Sequence, residues 1–293
     1  MASEVEKMIQ SWVSEPKNTA RSMLVTIFGD TVLPIGREIW LSQLFQLTEV
    51  FGFAGRLVRT SMFRLASEGW FTNERVGRKS QYSLTRMAIE ESEQAAKRIY
   101  HSPHPNWSEE WTVVFLDAPS VSASIREQLA RHLRWHGFIL LSRGLLGSPN
   151  ESLESTQDLC RRIALDVNVP LAVLTFSELE SLVVDGFFVE ALDMTGVAEA
   201  YDKIVHFYGP LVDSSNPGAP AEAFALRSML IHDLRRIKLS GPDIPAALLP
   251  TGWAGDAADE VARQLYPQLS TTAAPWLSEV LDTKYPRHFA NRF

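Results

Sequence analysis

The chain has 293 residues, 45% of them hydrophobic and 22% charged, with one cysteine and a formal net charge of −7. A single cysteine excludes an intrachain disulfide framework and fits a reducing compartment, and no apolar run approaches the ~20 residues that span a bilayer. The length predicts two or three domains at roughly 100–200 residues each, and the acidic start at Glu4 and Glu6, without a basic-then-apolar leader, predicts a cytoplasmic protein.

In chain order, residues 21–33 carry apolar side chains at helical spacing, and residues 39–51 repeat the pattern with Ile39, Leu44, Leu47 and Val50. Gly52-Phe53-Ala54 forms a tight joint. A helix is then expected over 54–69, with Ala54, Val58, Ser61, Met62, Leu65 and Gly69 on one face. Arg56, Arg59, Thr60, Phe63 and Ser67 take the opposite side, with Arg64 flanking it. Gly69 is a stop signal. Short strands are expected at 70–72 and 81–84, joined by a turn, Gly77-Arg78-Lys79-Ser80, that carries two cations. Helix, helix, turn, helix, hairpin is the order of a winged helix-turn-helix.

Charge supports that reading. Between residues 51 and 86 stand Arg56, Arg59, Arg64, Arg75, Arg78, Lys79 and Arg86, against only Glu68 and Glu74. Residues 1–100 carry 13 Lys and Arg against 11 Asp and Glu, leaving 15 against 24 in the rest. A cationic element on an acidic body is an electrostatic footprint for nucleic acid, and the body repels the duplex elsewhere. Arg pairs with phosphate or with guanine O6 and N7, and Thr reaches phosphate or a base edge. The expected DNA-binding set is therefore Arg56, Arg59, Thr60, Arg64, Arg75, Arg78 and Lys79. The competing reading is a small helical subdomain with a solvated basic face.

A helix is expected over 85–100, acidic early and basic late in keeping with the helix dipole, and residues 101–106 read as a linker. Strands at 111–116, 137–146 and 171–176 alternate with helices at 122–136 and 156–166. That β-α-β-α-β order predicts a ferredoxin-like α+β unit, or alternatively a small doubly wound sheet. From Phe188 onward the pattern is helical, with helices at 197–208, 221–239 and 256–265 and a linker at 214–220. The expected organisation is α+β and multidomain: a winged helix-turn-helix domain with its linker helix at 1–105, a ferredoxin-like domain at 106–190 and a mainly helical C-terminal domain at 191–293.

Residues 21–30, Arg-Ser-Met-Leu-Val-Thr-Ile-Phe-Gly-Asp, resemble the first helix of the PaaX family, the phenylacetate-catabolism repressors. Val58-Arg59-Thr60, Arg64-Leu65, Glu68-Gly69-Trp70 and residues 77–85 continue the likeness. So do Arg98-Ile99-Tyr100 with Trp107 and Trp111, and, far downstream, residues 230–236 and Pro242-Asp243-Ile244-Pro245. Leu248-Leu249-Pro250, Gly252-Trp253 and Leu265-Tyr266 extend it. Two departures are Lys238-Leu239-Ser240-Gly241, where a more aromatic stretch is expected, and Phe63, where a small or polar residue is expected. The resemblance implies a ligand-responsive repressor that binds double-stranded operator DNA as a homodimer and is released by an acyl-coenzyme A such as phenylacetyl-coenzyme A. Such an effector needs cations for its phosphates and an apolar pocket for its acyl end. His232, Arg235 and Arg236 lie on one side of a helix and are candidates for the phosphates, with Phe207 and Trp253 as aromatic wall. The alternative for these arginines is a salt bridge to the acidic body.

Catalytic signatures are sparse. The chain has no Walker loop, GxGxxG or GxSxG, and no cofactor is implied. His132 and His136 have a metal-ligand spacing but lack a third ligand in sequence. Asp117, at the end of a strand, resembles an aspartate of small CRISPR-associated nucleases of ferredoxin-like fold. A metal-dependent nuclease is thus the enzyme alternative, against the reading of Asp117 as a turn cap. An effector-independent or architectural DNA-binding protein is the other alternative.

Overall fold

A computed structural model describes residues 3–100, 108–164, 167–175, 177, 194–214, 218–240, 244–246, 249, 251–286 and 292–293. The linker expected at 101–106, the start of the helical third at 188–193, the centre of the second linker at 215–217 and the Pro242-Asp243 motif lie outside the described residues. The chain forms two compact units, one of Met1–His101, Lys203–Arg235 and Ala257–Phe293, the other of Ser102–Asp202 and Arg236–Asp256.

In the first unit, α1 (Glu4–Ser14) and α2 (Ala20–Ile27) begin at Ser3 and Thr19, whose hydroxyls accept from the backbone N–H of Glu6 and Ser22. The helix expected over 21–33 ends early, at Ile27. A wide π-turn at Phe28–Val32 and a 3-10 turn at Leu33–Ile35 follow. The widened turn carries Asp30 and Thr31 inward, where both are buried. The next helix also starts later than its pattern suggested. Ile39 and Trp40 belong to β1 (Glu38–Trp40), and α3 runs over Leu41–Glu49. β-branched Ile39 buries better opposite Tyr82 on the sheet than in a first helical turn, and Gln43 caps α3 by accepting the Trp40 N–H at 2.9 Å.

Helix α4 (Gly55–Ser67) matches its expectation closely and buries Val58, Ser61, Met62 and Leu65. Gly69 ends it at φ 84°, a left-handed position that glycine takes without steric cost, while the Trp70 N–H bonds back to the Leu65 carbonyl at 3.0 Å. The hairpin is longer than expected: β2 (Phe71–Val76) and β3 (Lys79–Leu84) pair antiparallel with Val76 opposite Lys79, so only Gly77 and Arg78 form the loop. Gly77, at φ 62°, occupies the first loop position, which a type II′ hairpin reserves for glycine. The sheet order β1-β3-β2 completes the winged-helix layout. Helix α5 (Arg86–Tyr100) follows, with the Thr85 hydroxyl accepting from Ala88 N–H.

In the second unit, β4 (Glu110–Phe115), α6 (Ala123–Trp135), β5 (Ile139–Ser142), β6 (Leu145–Ser148), α7 (Leu153–Ile163) and β7 (Leu171–Thr175) form an antiparallel sheet ordered β5-β6-β4-β7. This is the ferredoxin-like arrangement, and its antiparallel pairing excludes the doubly wound alternative. The single strand expected over 137–146 is instead a hairpin. Gly144 turns it at φ 74°, after Ser142-Arg143. Val114, Leu116, Leu129, Leu133, Leu146 and Cys160 pack the helix-covered face, and Trp111, Val113, Ile139 and Leu141 pack the other with Ile244.

Among the described residues three long helices follow: α8 (Met194–Val212), α9 (Pro220–Ser240) and α10 (Ala254–Val280). The last is far longer than the expected 256–265, since Pro267 and Pro275 sit inside it rather than ending it. Residues 223–232 of α9 are all buried, so this helix is enclosed on every side over those turns.

Candidate nucleic-acid interface

The buried stripe of α4 fixes what the opposite side must present. Arg56, Arg59, Thr60, Phe63, Arg64 and Ser67 are all exposed, as are Arg75, Arg78 and Lys79 on the hairpin. The structure thus brings the seven expected contact residues onto two adjoining elements. Several are held in place by their own neighbours. The Arg59 guanidinium lies 5.7 Å from the centroid of the Phe45 ring. Lys79 lies 5.8 Å from the centroid of Trp40. Arg75 donates from Nε to the Gly77 carbonyl at 3.3 Å, across the wing tip. The Thr60 hydroxyl donates to the Arg56 carbonyl at 3.0 Å.

None of Arg56, Arg59, Arg64, Arg75, Arg78 and Lys79 forms an ion pair among the described residues. Of the carboxylates nearby, Glu90 pairs with Arg86 at 2.9 Å and Glu68, at the helix end, is held by Arg21, while Glu74 on β2 pairs with none of these cations among the described residues. Cations left without carboxylates on an otherwise acidic chain keep their charge available for an outside anion.

The other candidates are placed differently. His232 is 0% exposed. Its Nδ1 lies 3.2 Å from the Thr26 hydroxyl, and its ring meets Trp12 edge-on at 5.1 Å. Arg235 is half-buried and donates to the hydroxyl and carbonyl of Ser22 at 3.0 and 3.4 Å. Asp233 between them accepts from Trp12 Nε1 at 2.8 Å and from the Tyr208 hydroxyl at 2.9 Å. Arg236 is half-buried. Phe207 stacks edge-on against Tyr208, and Trp253 against Tyr201. Asp117 pairs with Arg126 at 2.7 Å, and Arg126 also donates to the Leu116 carbonyl at 3.2 Å. His132 is exposed on α6, and no three His, Cys, Asp or Glu side chains among the described residues come together to hold a metal ion.

The sequence reading missed a buried network. Arg227, on α9, lies 3.1 Å from Asp30 and donates to the Thr31 hydroxyl at 2.8 Å. Asp30 Oδ1 also accepts from the hydroxyls of Tyr100 and Tyr266 at 2.6 and 2.7 Å and from Arg292 at 3.3 Å. Burial alone would raise the Asp30 pKa; Arg227, Arg292 and the two tyrosine hydroxyls outweigh it and hold the carboxylate below its usual value. The available signal was Arg227 itself, a lone charge in Ala-Phe-Ala-Leu-Arg-Ser-Met-Leu-Ile.

A winged helix with an unpaired cationic face, in a chain that also holds a ferredoxin-like domain, defines the structural class. Comparison with known proteins gives the family. Residues 19–88 match the model of a PaaX-like protein, residues 104–181 that of the PaaX protein central Cas2-like domain, and residues 192–279 that of the PaaX-like protein C-terminal domain. The transcriptional repressor PaaX of Escherichia coli (strain K12) is 31% identical over 294 residues, covering 96% of this chain and 90% of the relative. The chain belongs to the PaaX family. An uncharacterized protein from Mycobacterium tuberculosis shares the fold with a TM-score of 0.52 at 20% identity, over 89% of this chain and 98% of that one.

Proposed function

We propose that the chain is a cytoplasmic transcriptional repressor that binds double-stranded operator DNA as a homodimer and is released by an aryl-acyl-coenzyme A such as phenylacetyl-coenzyme A. The observation that carries the DNA-binding half is the set of exposed cations on α4 and the wing that have no carboxylate partner among the described residues. The repressor name of the Escherichia coli relative supports it. No helix among the described residues is long and apolar enough to cross a membrane. Arg56, Arg59, Thr60 and Arg64 enter the major groove in this reading, while Arg75, Arg78 and Lys79 lie on the phosphate backbone. A dimer doubles a site that one recognition helix reads only in part.

The wing assignment has a direct test. Arg78→Ala/Lys79→Ala is expected to weaken binding to all duplexes alike and to reduce the salt slope of log K by roughly 0.9 per lost phosphate contact. A gel-shift series across salt concentrations measures it, and unchanged affinity in the double variant removes the wing from the interface.

For the effector, Arg235 or Arg236 on α9 is assigned to the ligand's phosphates, while buried His232, held on Thr26 and Trp12, ties α9 to α1 and α2. The ligand acts by binding one conformation better than another, and the coupling is reciprocal. Operator DNA is therefore expected to weaken phenylacetyl-coenzyme A binding by the factor with which the ligand weakens DNA binding, about 5–150-fold in a typical coupling. Calorimetric titration with and without operator reads this. Equal affinities would remove the switch, and no binding would leave a repressor with a different effector.

A further inference from the structure

Phe63 is 71% exposed on α4. At about 100° per residue it falls within about 40° of Arg56, Arg59 and Ser67, and about 160° from buried Leu65. It therefore occupies the middle of the cationic face, with Arg59 to one side and Arg64 to the other. Three partners were open to an aromatic at this position: the wing, the first helix of the domain, or something outside the chain. Exposure of 71% removes the first two. An exposed phenyl ring ringed by unpaired guanidiniums is poorly suited to an apolar protein partner, which would have to desolvate those cations without neutralising them. It suits a surface that is anionic around its rim and apolar at its centre. The DNA major groove has that character wherever a thymine stands, since the C5-methyl group projects into a groove bordered by phosphates.

We infer that Phe63 is a specificity-determining residue that packs on a thymine methyl group in the major groove and so demands thymine at a fixed place in each half-site. The inference rests on the DNA-binding reading above and adds to it a base that no arginine explains. The ring offers a methyl group apolar contact, and the neighbouring arginines deliver it to depth by holding the backbone or a guanine on either side.

The test begins with the full chain enriching duplexes from a randomised pool. The best duplex is resynthesised with each thymine replaced in turn by deoxyuridine, which lacks only the methyl group. Affinities are measured by fluorescence anisotropy for the wild type, Phe63→Ala and Phe63→Leu. At one thymine per half-site, deoxyuridine is expected to weaken the wild type about threefold to fourfold, the loss of one buried methyl group. Phe63→Ala should be indifferent to the same replacement, Phe63→Leu should keep part of the sensitivity, and all three proteins should melt at the same temperature. A wild type indifferent to every replacement, or Phe63→Ala as sensitive as the wild type, overturns the inference while leaving DNA binding in place. A fall in melting temperature or a change of oligomeric state in Phe63→Ala without any change in base preference would reassign the ring to packing or to a copy-to-copy contact, and overturns it equally. Failure to enrich any duplex overturns the DNA-binding reading and this inference together.

Discussion

Arg227→Ala is expected to lower the unfolding free energy by about 3–5 kcal/mol, the range for removing one member of a buried ion pair. The cause is less the lost attraction than what remains behind. Asp30, 1% exposed, would keep its charge beside hydroxyls and a more distant Arg292, with its main counter-ion gone. Arg227 also lies over the rings of Phe224, Tyr266 and Tyr285, at 5.9, 5.7 and 5.5 Å from their centroids, so its stem and plane fill space that alanine leaves empty. Urea denaturation at neutral pH measures the loss. Asp30→Asn/Arg227→Met should cost less than the two single changes added together, because neither half is then stranded. Additive losses would mean that the pair is not coupled.

The same network sets an acid limit. The folded pKa of Asp30 lies below its unfolded value of about 3.9. Its contribution is therefore complete above that value and is lost as pH falls through the lower folded one. Stability should hold steady near neutrality and decline below about pH 4, and Asp30→Asn should flatten part of that decline. Asp30 lies in the π-turn that leaves α2, and Tyr100 ends α5. The network thus fixes both ends of the N-terminal segment from α2 to α5 onto α9 and α10, and its loss should loosen α4 as well as the core.

Legibility in the sequence tracked the locality of the signal. Helix α4 was readable because its 3.6-residue stripe, Val58, Ser61, Met62 and Leu65, and its Gly69 stop are local. The wing's cations were readable for the same reason. Strand β1 was not, because Ile39 and Trp40 fit a helical spacing equally well, and only pairing with β3, more than 40 residues away, decides the matter. The hairpin within 137–146 was missed because its turn signal, Ser142-Arg143-Gly144, is only three residues long between two apolar stretches. Helix α10 runs past the expected end at 265 and through Pro267 and Pro275, because local propensity yields to packing that buries Leu265, Tyr266, Leu269 and Leu277. The largest miss, Asp30 with Arg227, joins positions 197 residues apart, and although Arg227 stands alone in an apolar run, nothing local names its partner. His232 and Arg235 were visible as a cluster, but their burial against Thr26, Trp12 and Ser22 was not.

Arg59→Ala is expected to cost about 1–3 kcal/mol of specific DNA binding, the value of one good base-edge contact, while non-specific affinity falls less. Arg59 is the strongest candidate for that contact because it is an arginine on α4 already held over an aromatic ring, at 5.7 Å from Phe45. A guanidinium held in advance loses less freedom on binding than one free in solvent. Arg59→Lys should therefore fail to rescue specificity, since an ammonium keeps the charge but has neither the planar fork nor the stacking surface. Phe45→Ala should reproduce a smaller part of the loss, on the order of 0.5–1 kcal/mol. In a double-mutant cycle the Arg59 and Phe45 effects should be less than additive, because the second change finds its partner already gone. Thr60→Ala supplies the comparison: it too is expected to cost about 1–3 kcal/mol if its hydroxyl reads a base, and next to nothing if that hydroxyl stays on the Arg56 carbonyl. Binding titrations on operator and scrambled duplexes at fixed salt read all five variants against the wild type. If Arg59→Lys binds the operator as the wild type does, Arg59 contributes charge alone, and the reading of sequence passes to its neighbours on the helix.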